Sequence, residues 1–279
     1  MPSNEQRRQA AKRKLERQLT RRAERAKRRR IWGVSITVVV VVAAVGLVYW
    51  LVNLGPDDSV AATNPTDTPP AENTTDGACG YKEAPDEQSE KKPGMPEDPA
   101  ETPSTGTVKV QLKTNQGNIP LTLDRAKAPC TVQSIEHLVK SKFYDGITCH
   151  RITASEGLKV LQCGDPLGTG GGGPGYSIPD ELPTDLKQGP TGPDGTPSVI
   201  YPRGALAMAN AGPGTGGSQF FLVYGDSTLA PSYTVFGSVD TPGLTTIDKI
   251  AAGGITPGPN GPQDGTPKLP VTIETAAVQ

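Results

Sequence analysis

Twenty-four consecutive residues without a charge, Ile31 to Leu54 (IWGVSITVVVVVAAVGLVYWLVNL), constrain this chain more than any other feature. At ~1.5 Å rise per residue, a helix of that length reaches about 36 Å, enough to cross a ~30 Å hydrocarbon layer. Trp32, Tyr49 and Trp50 stand near its ends, where amphipathic rings prefer the interface. Charge divides around the run. Thirteen Lys and Arg against three Glu leave residues 1–30 at about +10, so the remainder carries about −11 within a total of −1. A basic tail stays on the cytoplasmic side, and everything after Leu54 is then expected outside the cell. The run is longer than the apolar stretch of a cleaved signal, and Val60-Ala61-Ala62 is a weak cleavage site. The reading is a single-pass anchor in the cell membrane: cytoplasmic tail 1–30, transmembrane helix 31–54. Beside a span, the basic tail reads as a contact for anionic lipid, not as a nucleic-acid arm.

Gly55 to about Gly106 is rich in Pro, Asp, Glu, Thr and Asn and poor in large apolar residues. Such a stretch buries too little surface to offset its ordering entropy. Residues 55–105 are therefore expected to form an extended extracellular linker, interrupted at Cys79-Gly80-Tyr81. From residue 106 to 279 the texture is that of a folded domain. Val108, Val110 and Leu112 alternate with polar residues, Asn115-Gln116-Gly117 turns the chain, and Ile119, Leu121 and Leu123 alternate again, which predicts a β-hairpin. Val132, Ile135, Leu138 and Val139 fall at helical spacing behind a candidate N-cap, Thr131. Further strands are predicted at 147–153, 159–163, 205–209, 219–224, 234–239 and 271–275, with a second helix at 245–252. Mostly strands, two short helices and long Gly/Pro loops suggest a closed antiparallel barrel or a sandwich.

Four segments then occur in order: FYDGITCHRI (143–152), LQCGDPLGTGGGGPGYSIPDE (161–181), LAMANAGPGTGGSQFFL (206–222) and YTVFGSV (233–239). Together with TNQGNIPLTLDRAKAPCTVQSIEHL (114–138), they resemble the cyclophilin family of peptidyl-prolyl cis–trans isomerases over roughly residues 106–277. The anchored layout with a Pro-rich spacer is similar to that of actinobacterial cyclophilins. The resemblance implies a mainly β fold, a closed eight-stranded antiparallel barrel capped by two helices. It also implies an enzyme that turns X–Pro bonds in proline-containing polypeptides, here exported proteins folding outside the membrane. Arg151 matches the family's catalytic arginine and Gln162 the glutamine that orients it. Phe221 matches the floor of the proline pocket, with Val160, Leu158 and Leu229 as walls and Tyr233 on the rim. Ala209, Asn210 and Ala211 match the clamp on the peptide backbone, and Gln219 another groove residue. Rotation about an amide forms no covalent bond, so no cofactor is implied.

Three departures from the family pattern stand out. Extra residues lie at Ala154–Leu158, where an aromatic wall residue normally sits, and either Leu158 or Lys159 takes its place, which implies a looser or more polar pocket. Thr228 replaces the indole donor before Leu229, which implies weak cyclosporin binding. Tyr233 replaces a histidine. A non-catalytic peptide-binding or scaffold module at the cell surface is the alternative function. A metal site built from Cys149, His150, Cys163 and Asp165 is not expected. Adjacent Cys149-His150 matches no common zinc spacing, and neighbours on a strand face opposite sides. His150 reads as an inward-facing structural residue. Ser218 lacks the G-x-S-x-G elbow of a hydrolase, and the glycines at 170–173 precede no Lys-Ser/Thr. Four cysteines in an oxidising space suggest two disulfides with three possible connectivities. The favoured pairing is Cys149–Cys163, on neighbouring strands, and Cys79–Cys130, which would tie the linker to the domain. Strict alternation puts Cys149 on the face of Arg151 and Cys163 on the face opposite Gln162, so the first bond demands a local irregularity.

Overall fold

The computed structural model describes residues 75–84, 89–192 and 195–279. The tail at 1–30, the span at 31–54 and the linker as far as residue 74 lie outside them. Among the described residues, no helix is long and apolar enough to cross a membrane.

The chain runs β1 (Lys82–Glu83), β2 (Thr107–Thr114), β3 (Gly117–Asp124), α1 (Pro129–Lys140), β4 (Arg151–Thr153), β5 (Lys159–Cys163), β6 (Tyr176–Ser177), β7 (Lys187–Gln188) and β8 (Val199–Tyr201). It continues through β9 (Ala205–Met208), β10 (Phe220–Gly225), β11 (Ser227–Leu229), β12 (Val235–Val239), α2 (Thr241–Ala252), β13 (Ile255–Gly258), β14 (Gly261–Pro267) and β15 (Ile273–Val278). Mainly β with two helices is as expected, and the first hairpin forms where alternation placed it. In β2, Val108, Val110 and Leu112 are buried and the residues between them are not. In β3, Ile119, Leu121 and Leu123 repeat the pattern.

The sheet differs from the closed eight-stranded barrel. It is a ten-stranded antiparallel series, β13-β14-β4-β5-β10-β9-β12-β3-β2-β15, beside sheets of three (β11-β8-β7) and two (β1-β6) strands. Two causes act. The β13–β14 hairpin adds an edge beyond β4. And β15 meets the segment before β4 through scattered bonds, not a ladder: Gly146 N–H donates to Ile273 O (2.7 Å), Ile273 N–H to Ile147 O (2.8 Å) and Cys149 N–H to Val271 O (2.8 Å). The strand read at 147–153 is accordingly interrupted. Thr148 makes an isolated bridge to Thr272, and the regular strand resumes only at Arg151.

One face of the series carries Leu112, Leu121, Leu161, Leu206, Phe220, Leu222 and Phe236 into the main core, which α1 and α2 cover with Val132, Ile135, Leu138, Ile247 and Ile250. Helix α1 begins earlier than expected. Its N-cap is Ala128 and Pro129 occupies the first turn, where a missing N–H costs nothing. Thr131 does not cap. The Glu181 carboxylate does so from across the fold, accepting from Cys130 N–H (3.0 Å), Thr131 N–H (2.8 Å) and Thr131 Oγ1 (2.7 Å). Helix α2 likewise starts at Thr241, ahead of the expected Thr245.

Within the segment read as linker, residues 75–84 are docked. Cys79 is bonded to Cys130. Tyr81 is fully buried, its hydroxyl donating to Cys130 O (2.8 Å) and its ring edge-on to Tyr176. Asp98 accepts from Cys79 and Gly80 N–H (2.9 and 2.8 Å), and β1 pairs with β6. Composition suggested an unpacked chain, but a cross-link and one buried aromatic hold it down as a strap.

Candidate active site

Register builds the site. Arg151 stands opposite Gln162, Gln162 opposite Phe221, Phe221 opposite Ala207, and Ala207 opposite Val235. Directly opposed residues share a face. One row therefore crosses five strands on the side away from the main core, with a cation at its end and an aromatic ring in its middle. Phe220, one residue earlier, falls on the other face and into the main core. Both phenylalanines are buried, each in a different cluster.

Around Phe221 the outer face is apolar. Val160, Val223, Ala207, Val235 and Tyr201 cluster with it, and Leu158, Ala209, Leu229 and Tyr233 pack against that group. The residues read as pocket walls and rim thus share one apolar cluster with Phe221. The rings of Phe221 and Tyr233 meet edge to face, centroids 5.4 Å apart and planes at 85°. Tyr201, which sequence reasoning missed, completes a triad at 6.2 Å from each. Its hydroxyl bonds Ala230 O (3.1 Å) and Tyr233 O (3.2 Å), and burial pushes its pKa up to about 12. No motif flags it, because a lone Tyr in VIY reads as any strand residue.

The extra residues at 154–158 form a tight turn, with Ser155 bridged to Leu158 and Gly157 at φ 78°. Thr153 Oγ1 donates to Leu158 O (3.0 Å), and Thr228 N–H donates to Gly157 O (2.8 Å). The turn places Leu158 in the apolar cluster and leaves Lys159 exposed.

Polar groups at the end of the row form a directed chain. Arg151 Nη1 donates to Gln162 Oε1 (3.2 Å), Gln162 Nε2 to Gln219 Oε1 (2.9 Å), and Gln219 Nε2 to the carbonyls of Gly170 and Gly172 (2.9 Å each). Gln162, Ala209, Asn210, Ala211 and Gln219 line an adjoining cleft of about 470 Å³, whose far wall includes Glu83 of the strap. Asn210 Nδ2 donates to Ser232 O (2.8 Å), which steadies that wall. The candidate residues therefore fall in two groups, the apolar cluster around Phe221 and the polar cleft, and Ala209 belongs to both.

On its other side Arg151 meets Asp264 in a bidentate pair: Nε to Oδ1 and Nη2 to Oδ2, each 2.8 Å. The pair raises the Arg151 pKa and holds the Asp264 carboxyl below the usual range, in both cases first through these hydrogen bonds. Sequence reasoning missed Asp264 and its hairpin. Asn260-Gly261 was the available turn signal, but ITPG and GPQDGTP lack the alternating apolar residues that mark strands.

Cys149 and Cys163 are bonded to each other, with Cα atoms 4.0 Å apart. The interruption before Arg151 resolves the conflict over faces: Ile147 and Cys149 point inward, the phase slips at His150, and Ile152 points inward again while Arg151 faces out. His150 is half-buried with both ring nitrogens covered and, among the described residues, unpartnered; burial lowers its pKa, against a pull from Asp165. Asp165 is buried and accepts from the Leu167 and Thr169 N–H groups (2.7 and 2.8 Å), shaping the glycine loop.

Residues 109–278 match the family described as cyclophilin type peptidyl-prolyl cis-trans isomerase/CLD. The chain is 44% identical over 295 residues to the probable peptidyl-prolyl cis-trans isomerase B of Mycobacterium leprae, covering 99% of each chain. It is 48% identical over 296 residues to the protein of the same description in Mycobacterium tuberculosis, covering 98% of this chain and 93% of the other. It is 37% identical over 185 residues to the peptidyl-prolyl cis-trans isomerase B of Streptomyces anulatus, covering 60% and 94%.

Proposed function

The chain belongs to the cyclophilin-type peptidyl-prolyl cis–trans isomerase family and is an enzyme of that class, and from that premise we propose that Arg151 and the Phe221 pocket carry out its reaction. The X–Pro barrier, ~18–20 kcal/mol, reflects amide resonance that must be broken during rotation. Two features of the outer face answer it. Phe221, Leu158, Val160, Leu229 and Tyr233 offer a dry seat for a proline ring. Arg151 offers donors to the amide whose nitrogen lone pair becomes localised on twisting. Binding that strengthens only in the twisted state lowers the barrier. A guanidinium suits the task because it stays charged and presents a rigid fork. Gln162 orients it through Nη1, and Ala209–Ala211 and Gln219 hold the flanking peptide.

The observation that carries this reading is the cross-strand row Arg151–Gln162–Phe221, which puts the donor and the apolar seat on one face two strands apart. The biological setting is proposed on the uncharged run and the charge split: tail 1–30 in the cytoplasm, span 31–54 in the cell membrane, and the isomerase domain outside, acting on exported proteins whose folding waits on slow X–Pro bonds. The test is a protease-free isomerisation assay, by NMR exchange on a short Ala-Pro peptide, of the full-length chain and Arg151→Ala. A drop in kcat/KM of about 100-fold is expected, the scale of losing one preorganised donor. A variant as fast as wild type would refute the role of Arg151. A wild type no faster than background would leave only a peptide-binding module.

A further inference from the structure

Resting on the reading of Arg151 as the donor, we propose that Asp264, carried on the β13–β14 hairpin, is the positioning residue that aims the Arg151 guanidinium at the substrate. The hairpin is tied to the strand that bears Arg151. Asp264 stands opposite Thr153, and Gly265 opposite Ile152, while Ala154 N–H donates to Gln263 O (2.9 Å). Asp264 is thus diagonal to Arg151 across a fixed ladder, a separation that long side chains span. Gly265 lets the hairpin close so tightly. A Cβ there would lie 2.1 Å from Thr256 O and 2.6 Å from Gly258 N. The carboxylate is held on its own far side as well, since Asn260 Nδ2 donates to Oδ2 (3.2 Å).

Donor stoichiometry gives the arrangement its meaning. A guanidinium has five N–H groups. Asp264 takes Nε–H and one hydrogen of Nη2, and Gln162 takes one of Nη1. One hydrogen on each Nη is left over from these contacts for a substrate. Gln162 alone, through a single 3.2 Å bond, leaves the guanidinium plane free to swing, whereas a two-point fork fixes both plane and direction. The Arg151 side chain keeps 36% of its exposure while that of Asp264 keeps 18%, so the anion is the supporting partner and the cation the presented one. The strands of the hairpin bury only Pro267, with Ile255 partly buried against the main core, so core packing accounts for little of it.

The experiment compares kcat and KM on the Ala-Pro peptide for full-length wild type, Asp264→Asn, Arg151→Ala and the double variant, together with the Arg151 Nε–H cross-peak. We expect Asp264→Asn to lower kcat/KM about tenfold, mainly in kcat, as for loss of an interaction that orients a transition-state donor. The cross-peak should move toward the position of a free arginine. In the Arg151→Ala background, Asp264→Asn should then cost nothing further. If Arg151→Ala lowers the rate and Asp264→Asn does not, the positioning role falls and the role of Arg151 stands. If Asp264→Asn costs the same with and without Arg151, its effect is on the fold and the proposal also falls. If Arg151→Ala leaves the rate unchanged, the parent reading falls and takes this one with it.

Discussion

Opening the Cys79–Cys130 bond separates what holds this domain together from what does its chemistry. The two cysteines are 51 residues apart. In the chain-entropy treatment, cross-linking a loop of that length removes ~14 cal/mol/K from the unfolded chain, about 4 kcal/mol at 25 °C. For a domain of this size ~1 kcal/mol corresponds to about 2–4 °C. Cys79→Ser/Cys130→Ser should therefore lower Tm by about 8–16 °C. The strap has other holds in the folded state, chiefly buried Tyr81 and its bond to Cys130 O, so it should remain docked at 20 °C. The Arg151–Gln162–Phe221 row crosses β4, β5 and β10 and touches none of these holds. Turnover of a short Ala-Pro peptide, measured at least 15 °C below the variant's midpoint, should stay within about twofold of wild type, a ΔΔG‡ under ~0.5 kcal/mol. Thermal unfolding followed by circular dichroism and the exchange assay give the two readings. A Tm shift under 3 °C would show that the bond does not restrain the unfolded chain. A tenfold loss of activity in the folded variant would show that the strap shapes the proline pocket, contrary to the register argument.

Other outcomes follow from single contacts. Phe221→Ala should destabilise the domain by ~3–5 kcal/mol and raise KM, because the ring is buried against Tyr201 and Tyr233 and forms the proposed floor; urea unfolding and kinetics check both. Tyr201→Phe removes the one O–H shared by the Ala230 and Tyr233 carbonyls, together with the acceptor of Tyr233 N–H, and should cost ~1–3 kcal/mol by the same unfolding assay. Asp264 has its carboxyl held below the usual range, so its contribution is complete above ~3.9, the unfolded value, and disappears as pH falls through the lower folded value. Its share of stability and turnover should accordingly be level from neutral pH down to about 4 and decline only below that, read from a pH profile of wild type against Asp264→Asn. Thr228→Trp, restoring an indole donor beside Leu229, should tighten cyclosporin binding about tenfold in a fluorescence titration, the scale of one hydrogen bond; unchanged affinity would refute the role given to that position.

What could be read from the sequence, and what could not, follows the physics of each segment. The β2–β3 hairpin was legible because one of its faces is buried and the other wet, which writes a period of two into the residues. Arg151, Gln162 and Phe221 were legible only through the order of several motifs. Taken singly, an Arg in HRIT and a Phe in SQFFL carry no mark of function. The β13–β14 hairpin escaped because it is held mainly by backbone hydrogen bonds and its two strands bury apolar residues only at Ile255, partly, and Pro267, so no alternation distinguishes it from a loop. The strap escaped for the converse reason. Its composition does predict an unpacked chain, and a bond 51 residues long together with one buried tyrosine offsets the ordering cost.

The most instructive case is the stretch from Cys149 to Cys163. Regular alternation cannot place a buried cysteine at 149 and an outward arginine at 151. Both requirements are met because the strand is broken between Thr148 and Arg151, and the slip at His150 changes the facing of everything after it. A slip of one residue in a strand normally sends every later side chain to the wrong face. Here the Cys149–Cys163 bond pins the chain just before the slip, and the Arg151–Gln162 and Ile152–Leu161 pairings fix it just after. The disulfide and the outward-facing arginine are therefore two consequences of one irregularity. Pairing the cysteines on the core side of the sheet is what allows Arg151 to stand on the outer face, in line with Gln162 and Phe221.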